Sequence, residues 1–280
     1  MAGEGEKGSF EARSGAVRLS GEEAGEGPAV VLLHGLTATR RYVLLGSRNL
    51  ERSGLRLIAY DARGHGESGP PEDPEAYEYS DLATDLVAVL DSRKLESAVL
   101  VGNSMGTHTA AAFALAHPDR VRGLVLVTPA YTGAPPGPDD LADWDRLATG
   151  LRAGGVDGFL DAYRPAVAGR FSETVTTFTR QRLERHHDLE ALADALTVVP
   201  RSRAFDGLEA LGNIRAPTLV VGSRDDADPG HPLEVAEAWA GTIEGSTFRV
   251  EDEGSSPLAW QGAQLSREIG AFLEQADLDR

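Results

Sequence analysis

Val99 to Pro118 reads VLVGNSMGTHTAAAFALAHP. An unbroken aliphatic run leads into Gly102-Asn103-Ser104-Met105-Gly106, and an alanine-rich stretch follows to Ala116. Aliphatic runs without polar alternation suit strands buried on both faces of a parallel sheet. Alanine-rich runs suit helices. The pentapeptide is therefore a G-x-S-x-G turn between strand and helix. So tight a turn lifts the serine hydroxyl clear of the sheet, and its glycines let neighbouring backbone pass close by. The helix behind it aims free N–H groups and its positive dipole end at any oxyanion formed there. A bare G-x-S-x-G occurs often by chance. Framed by a strand and a helix, it marks an elbow that exposes the Ser104 hydroxyl.

Outward from this stretch, similar aliphatic runs recur. They are Ala29–Leu33, Leu55–Tyr60, Gly123–Val127, Thr218–Val221 and Thr247–Val250. Helix-like segments lie between them, including Tyr79–Leu90 with apolar Leu82, Leu86, Val89 and Leu90, and Leu265–Leu273. Such alternation predicts an α/β fold with a mostly parallel central sheet flanked by helices. Phe10–Leu19 reads as an edge hairpin. The alternation stops at the Pro/Gly-rich TGAPPGPDD, and helical patterns follow at Asp139–Leu151, Val156–Ala162, Ser172–His187, Leu189–Leu196 and Ser202–Leu211. This organisation predicts a core of residues 1–130 and 213–280. A helical cap of residues 131–212 is then inserted over the sheet's carboxyl edge.

Composition narrows the function. The chain has 280 residues, 41% hydrophobic and 25% charged, as in ordinary globular proteins. Its net charge of −17 argues against nucleic acid or an anionic membrane as partner. Lys7 and Lys94 are the only lysines, so nearly all positive charge is arginine. There are no cysteines, hence no disulfides, thiolate nucleophile or Cys-ligated zinc. The N-terminal residues lack the apolar core of a signal peptide, and the most apolar run, Thr109–Ala116, is too short to span a bilayer. The expectation is a soluble, cytoplasmic protein. A small-molecule partner is expected with it, and neither a cofactor nor a metal site.

Two further stretches join the serine. VVLLHGLTATRRY ends a strand in His34-Gly35-Leu36, where the Leu36 backbone N–H stands beside that of Met105 as a second oxyanion donor. His34 and Gly35 shape that loop. LIAYDARGHGESGPP places Asp61, Arg63, His65 and Ser68 in a turn-rich loop fixed by side-chain hydrogen bonds. In this order, strand–HG, D-x-R-G-H-G-x-S, G-N-S-M-G elbow, helical insertion and a strand ending in G-x-x-D, the chain resembles the α/β-hydrolase superfamily from Ala29 to Leu273.

That resemblance implies Ser104 as nucleophile and an acid in SRDDADPGHP after the Thr218–Val221 strand. Asp225 closes the G-x-x-D pattern; Asp226 and Asp228 are its rivals. It also implies a histidine in G-H-x-P after the last strand, but here Glu253-Gly254-Ser255-Ser256-Pro257 puts Ser255 at that position. A serine hydroxyl is no general base at neutral pH. Losing the base histidine costs on the order of a million-fold in subtilisin. Of the seven histidines, only His231 follows Asp225. A helix starting at Pro232 is expected to turn it away from Ser104. His186 and His187 read as a solvated helix face, and His108 sits one turn beyond the serine.

The resulting expectation is a carboxylic ester hydrolase acting on a small or medium hydrophobic acyl substrate, its base unidentified. Trp144, Leu147, Phe159, Tyr163, Phe171 and Phe178 would roof the pocket. Two alternatives stand beside it: a degenerate binding or sensor protein, and a variant inactivated at Ser255. Lyase, haloperoxidase-like and acyltransferase chemistries use the same parts. A serine rather than an aspartate at the elbow disfavours a dehalogenase.

Overall fold

Uninterrupted apolar strands dictate what covers them. Each must be buried on both faces, and the computed structural model shows how. It describes residues 8–163, 171–224, 228, 230–252, 260 and 262–280. The chain opens with the antiparallel pair β1 (Gly8–Ser14) and β2 (Val17–Ala24), then β3 (Ala29–Leu33), α1 (Asn49–Arg52) and β4 (Arg56–Tyr60). There follow α2 (Tyr79–Ser92), β5 (Ala98–Asn103), α3 (Met105–Ala116) and β6 (Val121–Val127). Three helices come next: α4 (Pro138–Ala162), α5 (Ser172–Leu183) and α6 (Leu189–Val198). The chain returns with β7 (Thr218–Gly222), α7 (Leu233–Thr242), β8 (Thr247–Val250) and α8 (Gly262–Gln275).

The strands form one eight-stranded sheet in the order β1-β2-β4-β3-β5-β6-β7-β8. β2 runs antiparallel to β4, and from β4 to β8 all pairings are parallel. Successive strand residues point to opposite faces. Accordingly Val31, Leu33, Leu100, Leu124, Leu126 and Val220 pack under α2, α3 and α7, around Phe113 and Trp239. Val30, Leu32, Val99, Val101, Val125 and Val221 pack on the other face against α8, through Leu265, Ile269 and Leu273. The sheet is thus an α/β core with helices on both sides.

From β3 the chain steps one way to β4, then returns to place β5 on the other side of β3. In open α/β sheets the crevice at such a reversal, outside the carboxyl ends of the strands, is where ligands bind. Here it separates His34-Gly35-Leu36, leaving β3, from Ser104, leaving β5.

The helical segment packs over this edge. Leu147, Leu151 and Phe159 of α4 and Leu192 and Leu196 of α6 bury themselves against Leu36, Ala62, Tyr79 and Met105. The expected helices Asp139–Leu151 and Val156–Ala162 are two arms of α4, separated by non-helical Gly154 and Gly155, the latter at φ 59°. Only glycine accepts that angle readily. Ser202–Leu211 departs from expectation: a short 3₁₀ turn at Leu208–Asn213 replaces a helix. His186 and His187 follow the end of α5 instead of lying within it.

The D-x-R-G-H-G-x-S loop is held by buried charge. Asp61, 1% exposed, accepts from the Arg40 guanidinium, the Arg40 N–H (2.7 Å) and the Glu67 N–H (3.0 Å). Arg63 donates two bonds, 2.8 and 2.7 Å, to the fully buried Asp85 of α2, and a third to the Ala76 carbonyl. Removing one partner of a buried pair strands the other charge. Arg63→Ala is expected to lower unfolding free energy by about 3–5 kcal/mol. Arg146→Ala, breaking the exposed pair with Asp143, is expected to cost no more than about 1 kcal/mol. Urea denaturation of both variants measures the contrast.

Candidate active site

Ser104 sits at φ 51°, ψ −115°, a strained conformation for a residue with a side chain. The turn is possible because α3 leaves β5 at van der Waals contact. A Cβ on Gly102 would stand 2.3 Å from the Gly106 carbonyl oxygen, and one on Gly106 would stand 2.2 Å from that of Leu33. The Ser104 N–H donates to the Val127 carbonyl at 3.0 Å, tying the turn to β6. The Thr107 hydroxyl reinforces it, its one proton shared between the Gly102 and Val127 carbonyls at 2.7 and 2.8 Å.

The loop after β3 faces this turn. His34, 2% exposed, approaches the Gly35 carbonyl through Nδ1 at 2.8 Å, and its Nε2 accepts the Ala62 N–H at 2.9 Å. Accepting at Nε2 leaves Nδ1 as the donor of the neutral ring. Burial, the nearby His65 ring and other cationic neighbours hold its pKa well below the ordinary histidine value, against the Gly35 bond. His65 Nε2 lies 2.7 Å from the Leu36 carbonyl oxygen. Both carbonyls are thereby turned into the protein. Among the described residues no hydrogen bond engages the N–H of Leu36 or of Met105.

The third component comes from the loop between β7 and α7. His231 Nε2 lies 2.8 Å from Ser104 Oγ, and its Nδ1 lies 2.8 Å from Asp228 Oδ2. A carboxylate only accepts, so Nδ1 carries the proton and Nε2 is free to accept from the serine hydroxyl. Burial pulls the Asp228 carboxyl upward; His231 and the Arg182 charge outweigh it and hold the pKa below the usual value. Asp228 keeps 40% of its side-chain exposure, facing the cleft.

The expectation that a helix turns His231 away from Ser104 is corrected here. α7 begins at Leu233 with Pro232 as its N-cap, in extended conformation. His231 thus precedes the helix, on a loop still lying over the carboxyl edge, and its N–H bonds back to the Asp228 carbonyl. A signal was present in the sequence: Asp228-Pro229-Gly230-His231 is turn chemistry, which brings first and fourth residues together. Asp225 and Ser255 lie outside the described residues.

His108 and His186 are fully occupied. His108 is bonded to the Tyr79 hydroxyl at Nδ1 (2.9 Å), and its Nε2 accepts from the N–H groups of Ala130 and Tyr131. His186 is no solvated face. It is 7% exposed, accepts the Gly66 N–H at 3.0 Å and approaches the Thr37 carbonyl at 3.2 Å.

Together these parts line a cleft of about 970 Å³ beneath the helical segment. Trp144, Leu147, Phe159, Tyr163, Phe178 and Trp260 supply apolar wall; Phe171 is not among the lining residues. Thr37, Thr179 and Arg182 add polar groups.

Comparisons with known proteins agree with the fold. The family described as alpha/beta hydrolase fold matches residues 28–206. A 2-hydroxy-6-oxononadienedioate/2-hydroxy-6-oxononatrienedioate hydrolase of Pseudomonas putida is 34% identical over 268 residues, 92% of each chain. The similarly named hydrolase of Paraburkholderia xenovorans is 32% identical, covering 92% of this chain and 91% of its own. A thermophilic esterase from Thermogutta terrifontis, solved with malate bound, superposes with a TM-score of 0.78 at 27% identity, covering 97% of this chain and 99% of its own. A serine elbow at the reversal point of an eight-stranded, mostly parallel sheet defines the class. The chain belongs to the α/β-hydrolase family. Among the described residues no helix is long and apolar enough to cross a membrane.

The buried histidines make stability pH-dependent. Burial first, then neighbouring histidines, push His108 and His186 down to about 3. Both stay neutral in the folded protein while the unfolded chain takes up protons near the ordinary value of about 6.5. The unfolded state therefore binds more protons, and stability, complete above about pH 6.5, falls as pH drops toward 3. His186→Gln is expected to reduce the proton uptake on unfolding between pH 6 and 4 by about one. Urea unfolding across that range measures it.

Proposed function

We propose that this protein is a serine hydrolase cleaving carboxylic esters of small or medium acyl groups, with Ser104 as nucleophile, His231 as general base and Asp228 as its orienting acid. The observation carrying this reading is the chain of two 2.8 Å contacts, Ser104 Oγ to His231 Nε2 and His231 Nδ1 to Asp228 Oδ2. It supplies the imidazole that Ser255 cannot, while keeping the order serine, acid, histidine along the chain.

In the first step Ser104 Oγ bonds to the acyl carbon as its proton passes to His231 Nε2. Asp228 keeps the ring in the required tautomer and balances the imidazolium. The developing oxyanion takes hydrogen bonds from the Leu36 and Met105 N–H groups, with the α3 dipole behind them. The ester C–O bond then breaks, and the alcohol leaves with the proton from Nε2. Water next gives a proton to Nε2 as its oxygen bonds to the acyl carbon. Ser104 departs, recovering that proton, and the free acid is released.

The cleft volume and its aromatic walls support a medium-sized, largely apolar acyl group. The relatives named as hydrolases and the related esterase support hydrolysis over transfer to another acceptor. We place the substrate between the carboxyl edge of residues 1–130 and 213–280 and a cap of residues 131–212.

A fluorophosphonate probe is expected to label wild type at Ser104, by peptide mass spectrometry, and to leave Ser104→Ala unlabelled. On a p-nitrophenyl ester, His231→Ala is expected to reduce kcat by about 10⁶ and Asp228→Asn by about 10⁴. Unchanged turnover in His231→Ala would refute its role as base.

A further inference from the structure

Arg182 of α5, half-buried as a residue, differs from Arg40 and Arg63, the buried arginines among the described residues. Arg40 and Arg63 are both met by carboxylates, Asp61 and Asp85 in particular. Among the described residues no hydrogen bond or ion pair reaches the Arg182 guanidinium, and its Nε is buried with no partner. Scarcity of carboxylates is not the reason, because the chain carries 44 of them against 27 lysines and arginines. The nearest acid in electrostatic terms within the cleft, Asp228, is occupied by His231. Arg182 also lines the same cleft as Ser104. Its guanidinium carbon stands 5.4 Å from the centre of the Phe178 ring, which covers one face.

A cation drawn partly out of water without a counter-ion is unfavourable. Burial is felt directly: it draws the Arg182 pKa below the ordinary arginine value, against the opposing influence of Tyr163, Asp228 and Tyr42. A group so placed gains what it lacks when an anion enters the cleft. The planar guanidinium fork matches a carboxylate in two parallel hydrogen bonds. One guanidinium balances one charge, which favours a carboxylate over a phosphate dianion. Asp140 and Asp143, which line the same cleft, would repel a more highly charged ligand.

We infer that Arg182 is a substrate-recognition residue: it binds a carboxylate at the end of the acyl chain remote from the scissile carbonyl, so that the preferred substrates are monoesters of dicarboxylic acids. This rests on the reading of Ser104 as acyl nucleophile for the reacting end only. The anion subsite stands on Arg182 itself. It also revises the expected substrate, replacing a wholly hydrophobic acyl group with one that is apolar along its length and charged at its tip.

The test compares 4-methylumbelliferyl monoesters of adipic and suberic acid with the matching hexanoate and octanoate, in wild type, Arg182→Met and Arg182→Lys. Wild type is expected to favour the acid-tipped ester in kcat/KM. Arg182→Met is expected to lower the ratio of acidic to neutral ester by about 10- to 100-fold, chiefly through KM, with partial recovery in Arg182→Lys. Calorimetric titration of adipate and suberate into Ser104→Ala needs no turnover. Binding there, lost in Ser104→Ala/Arg182→Met, supports the subsite even if neither ester is cleaved, a result that would sink only the nucleophile assignment. Thermal melting gives an independent readout. Removing an uncompensated, half-buried charge is expected to leave the Tm of Arg182→Met unchanged or raised. A fall of many degrees would make Arg182 a structural residue and overturn the proposal. So would absence of diacid binding by Ser104→Ala, or an ester ratio indifferent to Arg182→Met.

Discussion

Gly102 and Gly106 stand where β3, β5 and α3 approach more closely than any side chain permits. A single methyl at either position would fall within 2.3 Å of a backbone oxygen. This contact forces the chain to reverse within one residue, and Ser104 takes the strained conformation that results. The cost of that strain is borne by the sheet, since the Ser104 N–H and the Thr107 hydroxyl are both tied to the Val127 carbonyl on β6. What the arrangement achieves is placement. A hydroxyl stands proud of the carboxyl edge, at the point where the strand order reverses, with the start of α3 directly behind it.

Around that point the polar groups of the interior are fixed rather than free. Histidines that in isolation look like candidate bases serve as hydrogen-bonding struts. His34 and His65 hold the carbonyls of Gly35 and Leu36 inward, His108 joins α3 to Ala130 and Tyr131, and His186 fastens the helical segment to Gly66. Their burial keeps them poor proton acceptors. His231 differs in its partners: one ring nitrogen meets a carboxylate and the other meets the serine. The same logic sets Arg182 apart from Arg40 and Arg63. Arg40 and Arg63 are paired with buried carboxylates, whereas Arg182 lines the cleft with its Nε unpartnered.

The fold is largely legible in the sequence. Continuous Val/Leu/Ile runs demand cover on both faces, so the central strands fell within one or two residues of their expected limits, and the Gly154–Gly155 break was visible as a gap between two helical patterns. Ser202–Leu211 was misread because its apolar spacing fits a helix, while short-range turns and packing onto Leu211 and Phe205 gave it another form. His186 was misread for a related reason. Adjacent histidines in a charged stretch look solvated, and nothing in linear order reveals that Gly66 and Thr37 lie within reach.

The elbow and the loop after β3 are encoded locally, since each lies within a few residues of the strand that positions it. The sequence alone therefore determined the α/β class, the place of Ser104 and the two N–H groups beside it. The partner of that serine was settled only in three dimensions. Whether His231 turns toward Ser104 depends on where α7 starts relative to Pro232 and on how the Asp228–His231 turn lies across the ends of β5 and β7. That is a relation between segments 127 residues apart in the chain, and it arises from the packing of the sheet rather than from any pattern of neighbouring residues.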